Sequence, residues 1–176
     1  VFANHRGLSA SQRKQIVDWV RGGMPEGDPK SLPPPRTFLA SQWSIGAPDL
    51  ILRMEEPTTV MADGYMPYQY VMLEHRFERD TWVEKIEIVS ENPEVLHHCN
   101  LFFLRPGKRF ESSQLVCGKV PGGGALDLGA GVAVLIPKGA LLGLQVHYEP
   151  NGLEVKDRLS VGLRFPRAPV RKRFRS

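Results

Sequence analysis

The chain has 176 residues, 41% of them hydrophobic, and a formal net charge of +4. That length suits one main globular domain with a real core and a small appendage. No apolar run approaches the roughly 18 residues a membrane span requires, and no secretory leader is legible. The chain opens on Val1 rather than methionine, which reads as a piece of a longer protein. The positive charge is local. "RKRFR", residues 171–175, holds four basic residues and no acid, and without them the remainder is neutral. A nucleic-acid-binding face would spread basic and aromatic residues over the fold. No such pattern exists, so nucleic acid is not an expected partner. The basic run reads as a solvated, frayed terminus. Its functional alternative is contact with an acidic partner or with lipid headgroups, and membrane contact is expected only through this tail or through a partner.

"LSASQRKQIVDWVRGG" reads as one short helix. Ser9 caps its start, and Gln12 three residues on completes a capping box. Ile16, Trp19 and Val20 fall on one face at i, i+3 and i+4, and Gly22 and Gly23 stop it. Pro25, Pro29, Pro33, Pro34 and Pro35 then make an extended, semi-rigid connector. The expected division is a helical segment over 1–32, a proline-rich connector over 33–48, a β domain over 49–168 and a basic tail over 169–176.

From about Asp49 the texture changes to short β runs: "DLILRM", "YQYVML", "WVEKIEIVS", "VLHHCNLFFL", "VAVLIP", "ALLGLQVHYE" and "RLSVGLRF". "WVEKIEIV" sets Val83, Ile86 and Ile88 against Glu84, Lys85 and Glu87, with one slip that reads as a bulge. Turn signals at Pro106-Gly107, Gly122–Gly124, Pro137-Lys138-Gly139 and Pro150-Asn151-Gly152 separate the runs. Seven such strands without an intervening long helix predict a mainly β fold, an antiparallel, jelly-roll-like β-sandwich preceded by the short helix. The glycine run "PGGGALDLGAG" lacks the strand-turn-helix setting and the Lys-Ser/Thr of a phosphate cradle, and reads as a flexible loop.

The two cysteines, Cys99 and Cys117, form no C-x-x-C. A thiolate zinc pair and a haem-attachment motif are therefore excluded within this chain. One disulfide or two buried thiols remain open. No serine or cysteine nucleophile sits in a recognisable turn beside a histidine, which argues against a hydrolase.

Of five histidines, His97, His98 and His147 lie in or at the end of strand-like runs. Neighbours on a regular strand point to opposite faces, so His97 and His98 should part company. A lone strand histidine is ordinarily a hydrogen-bonded core or surface residue, but an adjacent pair in an apolar run is costly to bury without partners. A bulge re-aims side chains, so an irregular strand there lets both rings reach one metal ion, with His147 as third ligand. Three imidazoles without a thiolate suit copper, zinc or iron. His75, in the charged stretch "EHRFERD", reads as solvated. Met54, Met61, Met66 and Met72 read as core filling or partner contact, and Tyr148 should face away from His147.

The His-His pair inside an apolar strand, followed roughly 50 residues later by "LQVHY" ending its own strand, resembles the copper type II, ascorbate-dependent monooxygenases of the peptidylglycine α-hydroxylating and dopamine β types. The likeness runs from about Tyr65 to Phe165 and includes "YQYVML", "VLHHCNLFF", "LGLQVHY" and "RLSVGLRF". It implies a β-sandwich first domain in which His97, His98 and His147 hold one electron-transferring copper ion. The family's second domain, with a His-x-His pair and a methionine, activates oxygen. This chain has no His-x-His, so the resemblance implies an electron-transfer domain of a larger redox assembly rather than a complete hydroxylase. It also implies an extracytoplasmic location and a redox or assembly partner. The leading segment resembles the last helix of a bacterial c-type cytochrome domain, which implies a cytochrome c domain upstream and no haem within these residues. It also reads simply as an amphipathic helix that packs on the sandwich. A competing reading is a non-catalytic docking subunit that keeps the sandwich with its metal site empty.

Overall fold

A computed structural model describes residues 7–34, 43–105 and 114–175. His5, Pro35, the middle of the expected connector and the Pro106-Gly107 turn signal lie outside the described residues. The chain divides into two compact units, Val1–Phe38 and Leu39–Ser176.

In the first unit, α1 spans Ala10–Arg21. Its Ser9 cap and the reciprocal Gln12 contact form the expected capping box, and Gly22 closes it. The helix buries none of its residues; Ile16, Trp19 and Val20 are each about half exposed. The following proline-rich stretch contains a 3-10 turn at Pro29–Ser31, started by Asp28.

The second unit is mainly β. Its strands are β1 Leu50–Arg53, β2 Thr58–Val60, β3 Gln69–Leu73, β4 Thr81–Val83, β5 Lys85–Ser90, β6 Leu96–Leu104, β7 Leu115–Lys119, β8 Leu126–Asp127, β9 Val132–Ile136, β10 Leu141–Tyr148, β11 Val155–Asp157, β12 Leu159–Arg164 and β13 Lys172–Arg173. They form two four-stranded sheets, ordered β1-β12-β5-β8 and β3-β10-β6-β7, with a small β11-β2 pair and a β13-β9-β4 sheet. Among the described residues all pairings are antiparallel except β13 with β9. Both four-stranded sheets feed one hydrophobic cluster. Leu52, Ile86, Ile88, Val161 and Leu163 come from the first; Leu73, Leu101, Leu142, Leu144 and Val146 come from the second. Alternation explains this: on β10, Leu142, Leu144, Val146 and Tyr148 are buried while Gln145 and His147 are half-buried on the other face.

Three local readings are corrected. The slip in "WVEKIEIV" is a change of sheet rather than a bulge. β4 pairs with β9, the chain breaks step at Glu84, and β5 pairs with β12 and β8. Glu87, assigned to the solvent side, is buried. Its side-chain oxygens accept from the Ser44 and Ile45 backbone N–H groups and from Ser44 Oγ, which gives a buried polar group its partners. The basic tail is not frayed. The N–H of Arg171 donates to Gly131 O and that of Phe174 to Ala133 O, both at 2.8 Å, and the Phe174 ring packs against the core cluster. One aromatic ring among four cations anchors the segment. Among the described residues, no helix is long and apolar enough to cross a membrane.

Candidate metal centre

β6 and β10 are central neighbours in their sheet, and their register positions the site. Pairing runs regularly from Leu141↔Leu104 to His147↔His98, then jumps to Tyr148↔Leu96. His97 is the extra residue at this β-bulge. Bulges arise where one strand carries two residues against one on its partner, and they bend the strand and re-aim its side chains. Here the bulge overrides the alternation that would have sent His97 and His98 apart.

The three rings converge. His97 Nδ1 lies 3.2 Å from His98 Nδ1 and 3.2 Å from His147 Nδ1. Ring centroids are 5.1–5.3 Å apart, and the rings meet edge to face. One nitrogen from each ring lies within 4.8 Å of the others, so the trio could hold a metal ion. Imidazole nitrogens about 2.0–2.1 Å from one ion at tetrahedral angles stand about 3.3–3.4 Å apart. The two observed 3.2 Å separations fit that requirement before any side chain moves. His97 is exposed and the other two are half-buried, so the trio opens to solvent on one side. Burial, and then the neighbouring His147 and His97 charges, lower the His98 pKa below the ordinary imidazole value. A lowered pKa keeps the ring neutral, the form that binds metal.

Tyr68 completes the surroundings, and sequence reasoning missed it. It immediately precedes β3, whose first residue, Gln69, pairs with Val146. Its ring stacks on His147 at 4.9 Å with 23° between planes, and meets the His98 ring edge-on at 5.6 Å. "YQYVML" was legible as a strand, but only its register against β10 places Tyr68 over His147. Two residues along the sheet, Asn100 Nδ2 donates to Gln145 Oε1 at 3.1 Å, and Gln145 Nε2 donates to the Tyr70 hydroxyl oxygen at 3.0 Å. This polar row crosses β6, β10 and β3 in register and locks the strands beside the histidines.

The remaining candidates lie elsewhere. His75 is half-buried and packs edge-on against Phe77. Met54 and Met66 are buried in the core, whereas Met61 and Met72 are exposed. Tyr148 points inward, opposite to His147, and is almost fully buried. Cys99 and Cys117 are free thiols. Burial pushes Cys99 far up and Cys117 up to about 12, so neither offers a thiolate at neutral pH.

No protein-family model, curated protein or solved structure matches the chain. Its chemistry therefore rests on the geometry of its own residues.

Proposed function

We propose that residues 49–168 form a copper-binding β-sandwich that takes up and passes on single electrons within a larger, monooxygenase-like redox assembly. The observation that carries this reading is the convergence of His97, His98 and His147 at the β6 bulge. An all-imidazole donor set without thiolate or carboxylate suits copper among the nitrogen-loving metals. Copper in such a site supplies one-electron chemistry, cycling between its two common oxidation states. The chain's own residues hold the imidazoles in place. Tyr68 braces His147 and His98, the Asn100–Gln145–Tyr70 row fixes the strands, and the bulge keeps His97 and His98 on one side. The open side gives a redox partner access to the site. The shared core of the two four-stranded sheets supports the sandwich, and the resemblance to the copper monooxygenases supports the extracytoplasmic location and the partner.

Copper(II) titration followed by electron paramagnetic resonance tests this reading. The expected result is one copper per chain with nitrogen hyperfine structure, abolished by His147→Ala. Uptake well below one ion per chain, unchanged by that substitution, would falsify it.

A second reading, a docking subunit, is favoured by β13. It carries exposed Lys172 and Arg173 between exposed Arg171 and Arg175 on an ordered edge strand, a surface suited to an acidic partner.

A further inference from the structure

Asp157 is fully buried, and an apolar residue of similar size would be less costly there. Its contacts explain its presence. Oδ1 accepts from Ser90 Oγ and from the Asn92 backbone N–H, each at 2.8 Å. Asn92 begins the turn that leads into β6: Val95 N–H donates to Asn92 O, and Val95 O accepts from Glu149 N–H at 2.9 Å. Asp157 thus grips the segment that delivers His97 and His98. Glu149 follows the last residue of β10, Tyr148, which pairs with Leu96 across the bulge. One carboxyl group is therefore linked, through Asn92 and Val95, both to the start of β6 and to the residue that follows β10, where their register shifts.

We infer that Asp157, acting through Ser90 and Asn92, is a positioning residue that holds the bulge in the form in which the three imidazoles converge. It touches none of the three rings. The inference rests on the metal-site reading for its ligand, but not for its geometry, which is set by the contacts of Asp157 itself.

Asp157→Ala and Ser90→Ala in the full chain test it, each read by thermal unfolding, copper(II) affinity in chelator competition, paramagnetic resonance, and ring-to-ring nuclear Overhauser effects among the imidazoles without metal. The expected result is a several-fold higher copper dissociation constant in Asp157→Ala and a smaller rise in Ser90→Ala. Altered hyperfine splitting and weakened ring-to-ring effects should accompany it, in protein that still unfolds cooperatively. Where Asp157→Ala does not fold, Ser90→Ala carries the same test. Variants that lose only melting temperature, with affinity, spectrum and ring contacts of the wild type, overturn the inference. Absence of copper uptake by the wild type defeats the metal reading alone. The positioning role is then decided by the metal-free ring contacts, which overturn it if they persist in both variants.

Discussion

At the scale of single residues, the site depends on His97 being one residue too many. Without the bulge its ring would point to the face opposite His98, and the 3.2 Å approaches to both other rings would be impossible. The imidazoles also need bracing, because a ring about its χ2 torsion is only broadly restrained. Tyr68 supplies this through its face rather than its hydroxyl, since the contact with His147 is a stack with 23° between planes. Aromatic pairs of this kind contribute about 0.5–1.5 kcal/mol beyond burial. Tyr68→Ala should therefore weaken copper binding by up to about tenfold, whereas Tyr68→Phe should retain wild-type affinity. Chelator competition separates the two outcomes, and equal losses in both variants would assign the effect to the hydroxyl instead.

At the scale of elements, the strands are held by contacts that strand propensity does not encode. β12 illustrates this. Gly162 lies in the middle of the strand, buried, and a Cβ there would stand 2.6 Å from the Trp43 ring and 2.9 Å from Pro48 Cγ. The absence of a side chain lets the segment before β1 lie flat on the sheet, where Glu87 secures it through Ser44 and Ile45. Gly162→Ala should destabilise the fold by about 1–3 kcal/mol, the range for overpacking a tight core, as a lowered thermal midpoint. The imidazole cluster belongs to the other four-stranded sheet, so copper stoichiometry at low temperature should not change. The change of sheet at Glu84 is a similar case. Alternation before and after it is regular, and only the partners of β4 and β5 reveal that one continuous sequence pattern serves two sheets.

At the scale of the whole molecule, the basic run and the histidines lie on strands of different sheets. The excess positive charge sits on the ordered segment at 171–175, while the three imidazoles open from the β6–β10 pair. Deleting the segment would also remove β13 and the packing of Phe174, so charge reversal is the cleaner probe of docking. Lys172→Glu with Arg173→Glu should leave the thermal midpoint near that of the wild type, because both side chains are exposed. It should also abolish salt-sensitive association with an acidic partner chain in co-purification or light scattering. Association that survives the reversal would remove the basis for the docking reading.

Legible in the sequence were the α1 helix with both of its caps, the mainly β character of the chain after Asp49, the opposite facing of His147 and Tyr148 on β10, and the three histidines worth watching. These follow from local periodicity and capping chemistry, which act over a few residues. The sequence also suggested that the alternation rule breaks at "LHHC", since two adjacent imidazoles in an apolar run are otherwise hard to place. Only the tertiary structure decided that the break is a bulge opposite His147 and Tyr148, that Tyr68 lies over His147, that Glu87 and Asp157 are buried, and that the basic tail pairs with β9. Each of these is a matter of register or contact between segments tens of residues apart. A one-residue shift in pairing sends every side chain to the opposite face, and no local pattern records which shift the fold selects.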